Sequence, residues 1–146
     1  MKILIVSILI ATVGCSQAKI PGRWTNDMSF EFIFNYGDGG VYSRTSISGD
    51  SLYYTLEKRT GDNLSFQRKL KTEQLNEFLK ILSENKADKI RMKKLNGVTY
   101  DGAAFQMQLK KNNKEIFKII HDGTNVLKDS DVPRYRAIMN WLNKWK

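Results

Sequence analysis

The sequence predicts an α+β fold: an antiparallel β-sheet of about six to eight strands, arranged as a meander, with two helices packed on one face. Short segments in which apolar and polar residues alternate indicate half-buried strands, and turns rich in Gly, Asp and Asn separate them. Two longer segments place apolar residues at helical spacing. Each half of the chain therefore contains strands followed by one helix.

The first half of the chain contains four predicted strands. Residues 29–36 alternate aromatic with mostly polar side chains, so the first strand has one aromatic face. The three strands that follow are expected at 41–47, 52–56 and 64–70, with turns at 37–40, 48–51 and 61–63.

A first helix is predicted from Thr72, which suits the N-cap position, to Asn85, which is a suitable stop. Glu73 carries a negative charge at the positive end of the helix dipole. The apolar residues follow the i, i+3, i+4, i+7 spacing of one helix face. They are Leu75, Phe78, Leu79 and Leu82.

The second half repeats this order. Residues 90–93 alternate apolar and basic side chains and predict a strand, and a half-buried strand follows at 103–109. A hairpin leads into 116–120, which is apolar on both faces and is expected to lie centrally in the sheet. Asp131 or Ser130 is expected to cap the last helix, with Pro133 in its first turn. The stripe that this helix buries is predicted to be Tyr135, Ile138, Trp141, Leu142 and Trp145.

Residues 1–18 are predicted to be a secretory signal peptide. Lys2 gives a positive start, and the apolar run over 3–13 is about 16 Å long as a helix, too short for the ~30 Å hydrocarbon core. The chain is therefore expected to be exported. Residues 19–146 are expected to form a single α+β domain.

Two cleavage sites fit the signal peptide. The stretch Thr12-Val13-Gly14-Cys15 resembles the bacterial lipobox, in which the cysteine after the cut is acylated, whereas ordinary cleavage follows Ala18. Cys15 is the one cysteine of the chain, and lipidation of Cys15 is the favoured prediction. The lipid would hold the protein on the bacterial envelope, at the outer membrane or cell surface. Without it the protein would be periplasmic or secreted.

The C-terminal third contains a characteristic set of turn residues before its Trp-bearing helix. These are Tyr100-Asp101-Gly102, Asp122-Gly123-Thr124-Asn125 and Pro133. The pattern resembles the C-terminal part of small exported bacterial lipoprotein domains of unknown function. The resemblance implies export and an α+β fold, and it implies no activity.

The net charge of +9 is unevenly distributed. Residues 19–85 contain 9 basic and 9 acidic residues, whereas residues 86–146 contain 14 basic and 6 acidic residues. Such asymmetry suggests an anionic partner. The alternative is a basic surface without a binding function, either a solvated face or a charged edge strand that prevents aggregation.

The densest basic run is the candidate binding site. On a strand over 89–93, alternate side chains would project from one face. Hairpin lysines nearby would add to this face. The predicted site is Lys89, Arg91, Lys93 and Lys94, and the additional lysines are Lys110, Lys111 and Lys114.

No catalytic or metal-binding pattern is present in the sequence. His121 is the one histidine, and its neighbour Asp122 would point to the other face of a strand, so the two cannot act together in a nucleophile–His–acid arrangement. Zinc needs three or four clustered ligands. The protein is therefore predicted not to be an enzyme and to have no metal and no cofactor. The carboxylates that remain open for glycosidase chemistry are Glu31, Asp38, Glu57 and Asp101.

Three functional hypotheses follow. The first is a lipid-anchored, non-enzymatic binding module that acts on a protein of the envelope or secreted fraction, as an inhibitor of a secreted protease or as an immunity factor. It would use the loops at 58–63 or 37–40, or its basic face. The second is a binder of anionic envelope glycan or lipid through the basic run. The third is an envelope hydrolase without a recognised motif. Nucleic acid is excluded by the compartment and by the lack of basic residues interleaved with exposed aromatics.

Overall fold

The structure is a computed structural model that describes residues 19–37, 40–94 and 103–146. The predicted signal peptide and Cys15 lie outside the described residues. Within them, no helix is long and apolar enough to span a membrane. The elements in chain order are β1 Met28–Tyr36, β2 Val41–Ser48, β3 Ser51–Lys58, β4 Leu64–Lys69, α1 Thr72–Glu84, β5 Met92–Lys94, β6 Ala103–Lys111, β7 Lys114–His121, β8 Asn125–Leu127 and α2 Val132–Asn143.

Six strands form one antiparallel sheet in the order β4-β3-β2-β1-β6-β7, and β5 pairs with β8 separately. Tight turns join β1 to β4 as a meander, and the β6–β7 hairpin adds to the free side of β1. Asn112 and Asn113 close this hairpin with φ of 50° and 60°, the pair of positive angles that a type I′ turn requires. The predicted α+β class with its antiparallel meander is confirmed.

Both helices pack on the same face of the sheet. The predicted stripe of α1 is buried, and Phe78 meets Phe30 of β1 edge to face with ring centroids 4.8 Å apart. Phe78 also stacks on Trp141 of α2 at 4.5 Å, so the two helices meet above the middle of the sheet. This arrangement excludes water from one half of the sheet face and builds the hydrophobic core there.

Three local predictions were wrong. The segment 89–93 is not one strand, because a 3₁₀ helix occupies Ala87–Lys89 and β5 begins only at Met92. The strand β7 lies at the sheet edge rather than centrally. It looks apolar on both faces because a β-bulge opposite Leu109 and Lys110 lets the consecutive residues Ile116 and Phe117 both be buried. The cap of α1 is Lys71, whose backbone N–H donates to the Gln74 side chain at 2.7 Å.

The sheet has two distinct ends. The tether end, where the chain enters at Lys19, contains the start of β1, the β2–β3 turn and the β6–β7 turn. Trp24 is buried there, with its backbone N–H donating to Asn76 and its indole N–H donating to the Gly49 carbonyl at 2.7 Å. The distal end contains the end of β1, the start of β6 and the loops at 37–40 and 58–63.

Candidate functional site

The aromatic face of β1 emerges from the core toward the distal end. Along this one face, Phe30 and Phe32 are 1% and 2% exposed, Phe34 is half-buried, and Tyr36 is 55% exposed. All four side chains point the same way because successive even positions share a strand face. The increase in exposure along β1 therefore marks the point beyond which α1 and α2 no longer cover this face of the sheet.

Neighbouring strands continue this exposed apolar region. Tyr36 pairs with Val41 of β2, and Leu56 of β3 pairs with Leu64 of β4, which is 50% exposed. Phe66 of β4 contacts Tyr54 with ring centroids 5.3 Å apart. We call this region the distal surface, and it consists of Phe34, Tyr36, Val41, Leu56, Leu64 and Phe66.

The C-terminal helix sets the boundary of the distal surface. Tyr135 packs on Phe105 at 4.9 Å, and burial raises the pKa of its phenol to about 12. The ammonium of Lys146 lies over the rings of Tyr54, at 5.2 Å, and Phe32, at 5.8 Å. Desolvation there lowers the pKa of the Lys146 amine. Tyr135 and Lys146 therefore mark the edge of the part of the sheet face that the C-terminal region covers. The apolar rings beyond this edge face solvent.

Two loops form the rim of the distal surface. The backbone N–H of Arg59 donates to the Gly40 carbonyl at 2.7 Å, which ties the loop at 58–63 to the loop at 37–40. Gly40 has φ +62°, and a Cβ at this position would lie 2.4 Å from the Cβ of Arg59. A glycine is therefore needed for this close approach. Asn63 adds a second restraint by accepting a hydrogen bond from the Lys58 backbone at 3.0 Å.

The four predicted basic residues do not form one strand face. Lys89 ends the 3₁₀ helix, Arg91 precedes β5, and the adjacent residues Lys93 and Lys94 lie in β5. All four are exposed. The guanidinium of Arg91 donates to the carbonyls of Asp88 and Ile90 at 2.9 and 3.1 Å. The four residues therefore lie in a 3₁₀ helix, in a connecting segment and in β5, and no single strand aligns their side chains.

Acidic residues lie next to this basic run. Lys93 is 3.7 Å from the exposed Asp129 carboxylate. The buried Asp131 accepts from the Arg91 backbone N–H at 3.0 Å and from Arg134 at 2.7 Å. The hairpin residues Lys110, Lys111 and Lys114 lie instead at the tether end, because β6 begins at the distal end and runs away from β5 and its partner β8. The geometry therefore gives two separate basic regions.

The histidine has no catalytic partner among the described residues. The ring of His121 stacks on Phe105 with centroids 5.3 Å apart, and its buried Nδ1 has no hydrogen-bond partner within the described ranges. Asp122 instead accepts from the backbone and hydroxyl of Thr124 at 2.9 and 2.7 Å, and these bonds lower its pKa. No group of three metal-ligating side chains comes together in the part of the chain that the structure describes.

The remaining predicted chemical candidates are mostly occupied or outside the described residues. Glu31 accepts from Arg44 and, at 2.7 Å, from Gln108. Glu57 is exposed near the distal end of β3. Asp38 and Asp101 lie outside the described residues. Trp141 is 4% exposed, so the predicted core packing of this residue is confirmed.

The opposite face of the sheet offers a second exposed surface. It is mostly polar, and its centre is the hydrogen-bonded group of Glu31, Arg44 and Gln108 beside a shallow cavity of about 340 Å³. Tyr53 and Ile120 are 42% and 47% exposed there. Tyr53 lies on β3 and Ile120 lies on β7, and three strands separate β3 from β7 in the sheet. Tyr53 and Ile120 are therefore not adjacent on this face.

No family model matches this chain, and no curated protein matches it. The resemblance of the C-terminal third to exported lipoprotein domains therefore stays an interpretation of the sequence.

The sequence indicated the loops at 58–63 and 37–40 as candidate binding elements, but it did not predict the exposed apolar residues beside them. The alternation over 29–36 predicted the aromatic face correctly, and the position of Tyr36 next to Gly37 placed its last ring at a turn. The sequence does not show how much of the sheet face the helices bury, because that depends on how α1 and α2 cross the sheet. Exposure of Leu64 on an edge strand likewise follows from strand order.

Proposed function

We propose that this protein is an exported, lipid-anchored binding module that binds a protein of the envelope or secreted fraction through its distal surface. The observation that carries the proposal is the exposure of the aromatic face of β1, from 1% at Phe30 to 55% at Tyr36. Contiguous exposed apolar patches bordered by polar residues are typical of protein interaction sites.

The composition of the distal surface supports a protein partner. Aromatic rings and Arg are enriched at protein interfaces, and Lys is more often at the rim. The rings of Phe34 and Tyr36 contact each other at 6.2 Å, and the Arg68 guanidinium lies 6.0 Å from the Phe66 ring. The hydrogen bond between the backbones of Arg59 and Gly40 restrains the edge of this surface, which limits the entropy that binding must remove.

The position of the distal surface supports presentation away from a membrane. The predicted lipid on Cys15 is four residues before Lys19, which is at the tether end. The nine residues of β1 span roughly 30 Å between the two ends. A module held at one end would therefore expose the other end to a partner.

The test compares two matched double variants for binding. Tyr36→Glu with Leu64→Glu places charge on the distal surface, whereas Tyr53→Glu with Ile120→Glu changes residues of similar exposure on the opposite face. The full chain is displayed on bilayer-coated beads through its lipid, because a tag after Lys146 would disturb the boundary with the distal surface. The source cell's envelope and secreted fractions are then passed over the beads at low and high salt.

We expect one partner to be retained at high salt by the wild type and by the opposite-face variant. The distal variant should weaken its binding by about 30-fold or more, which corresponds to about 2 kcal/mol for loss of buried interface aromatics. Equal binding by both variants would contradict the proposal. A partner that is lost at high salt and on neutralising Lys89, Arg91, Lys93 and Lys94 would support the glycan or lipid hypothesis instead.

A further inference from the structure

We propose that the tether end docks on an anionic bilayer surface through a basic cluster formed by Lys19 and the β6–β7 hairpin. This basic cluster consists of Lys19, Lys111 and Lys114, which line one cavity, and of the neighbouring Lys110, which lines the cavity on the opposite face of the sheet. It is separate from the predicted site over 89–94 and from the distal surface. The inference rests on the lipid anchor of the proposed function, and it adds the orientation in which that anchor holds the module.

The basic cluster is assembled by the fold rather than by the sequence. Lys19, Lys111 and Lys114 line one open cavity of about 290 Å³, whose other lining residues are Pro21, Asn112, Glu115 and Ile116. Lys19 is more than ninety residues before Lys111 in sequence. The buried side chains of Ile20 and Trp24 hold the entering chain in this position.

Two lysines of the hairpin face each other directly. Lys111 pairs with Lys114 across the Asn112-Asn113 turn. Like charges in directly opposed positions of an antiparallel pair destabilise the hairpin. The arrangement places two positive charges side by side at the tether end, where both can contact one anionic surface.

Acidic neighbours reduce the charge of the basic cluster without cancelling it. Glu115 pairs with Lys110 across the hairpin, and Asp27 lies near Lys111. The hydrogen bond from the Thr25 side chain is the largest contribution that lowers the pKa of Asp27, and the positive charge of Lys111 lowers this pKa further. Among these named residues, four lysines against two carboxylates leave a net charge of +2, and Asp50 of the nearby β2–β3 turn is paired with Lys69 at 3.2 Å. An anionic surface is the partner with complementary charge.

The length of the tether brings this charge to the bilayer. Lys19 is four residues after Cys15, so even an extended chain places Lys19 within about 14 Å of the lipid attachment point. An anionic leaflet attracts each nearby lysine with an energy that corresponds to about fivefold in binding. A partner protein in solution would have no comparable reason to lie at this end of the molecule.

The test measures the distance between the hairpin and the headgroups of vesicles that contain the lipidated full chain. A fluorophore is attached to a single thiol introduced by Glu115→Cys, and the control label is introduced by Asp62→Cys at the distal end. Both changes remove one exposed carboxylate. The quencher is a headgroup-labelled lipid in vesicles of phosphatidylcholine with or without phosphatidylglycerol. Mass spectrometry of the N-terminal peptide first establishes whether Cys15 is acylated.

We expect the hairpin label to be quenched more strongly in vesicles with phosphatidylglycerol, and the distal label to be unaffected. Raising the salt from about 0.1 M to about 1 M should remove the difference, because the Debye length falls from about 10 Å to about 3 Å. Lys111→Gln with Lys114→Gln should reduce the docking equilibrium constant about 25-fold. The control Lys58→Gln with Lys128→Gln removes the same charge elsewhere and should change nothing.

Two outcomes overturn the inference, and they are distinguishable. Acylated Cys15 with equal quenching of the hairpin label in neutral and anionic vesicles would reject the docking surface and leave the anchored binding module intact. An N-terminal peptide without the acyl mass would reject the lipid anchor and the docking surface together.

Discussion

Tyr135 is the residue that most clearly separates the covered from the uncovered part of the sheet face. Its ring contacts Phe105 and Phe32 with centroids 4.9 and 6.5 Å apart. Burial raises the pKa of its hydroxyl from 10 to about 12, because the ionised phenolate would lose its hydration. Ionisation of this one side chain is therefore coupled to folding.

The Tyr135 pKa predicts a specific loss of stability at alkaline pH. Since the folded pKa is raised, the stability linked to the bound proton is fully present below pH 10 and is lost as the pH rises through about 12. Tyr135→Phe should remove this dependence. Urea unfolding between pH 9 and pH 12 should show a loss of roughly 2 kcal/mol by pH 12 in the wild type relative to the variant. Parallel curves for the two proteins would contradict the assigned burial.

Single residues also show how far sequence reasoning extends. The burial of Leu75, Phe78, Leu79 and Leu82 could be predicted because helical spacing alone places them on one face. The exposure of Tyr36 could not be predicted, because it belongs to the same alternating pattern as the buried Phe30. Alternation identifies a face, and the cover on that face is a property of tertiary packing.

At the scale of elements, Asp131 joins the entry of β5 to the start of α2. It occupies the N-cap position of α2, as the sequence predicted, although its side chain makes no capping bond. Its two oxygens instead bind the Arg91 backbone and the Arg134 guanidinium at 3.0 and 2.7 Å. The side chain is therefore a link between elements that lie 40 residues apart.

Removal of this link should destabilise the fold. Asp131→Ala leaves the Arg91 N–H without its acceptor in a partly buried position, which costs about 2 kcal/mol. Asp129→Ala is the matched control. The Asp129 carboxylate is 94% exposed, and its ion pair with Lys93, at 3.7 Å, lies on the surface. The control should change the free energy of unfolding by about 0.5 kcal/mol or less. Equal midpoints of denaturant unfolding for the two variants would show that Asp131 is not a structural link.

The elements that the sequence misplaced or missed are short: β5 was expected over 90–93 and lies at Met92–Lys94, and β8 was not predicted. The strands β5 and β8 have three residues each and pair only with each other. Three residues are too few for an alternation pattern to distinguish a strand from a loop. The longer strands β1 and β6 were predicted within two residues at each end, because eight or nine alternating residues define a periodicity.

At the scale of the whole molecule, the sheet connects two ends with different chemistry. The tether end carries the entering chain and the basic cluster, and the distal end carries exposed aromatic rings with paired loops. A separation of roughly 30 Å keeps the two ends independent. The overall fold class was predictable from the order of its elements. The two ends were not, since each brings together residues that are far apart in sequence.

The central claim is that the distal surface binds a protein partner, and site-specific photo-crosslinking in the source cell tests it most directly. A photoreactive phenylalanine analogue replaces Tyr36 in the full chain, and in a control it replaces Tyr53, which has similar exposure on the opposite face. We expect one discrete protein adduct from position 36 and none from position 53. An adduct from position 53 with none from position 36 would contradict it.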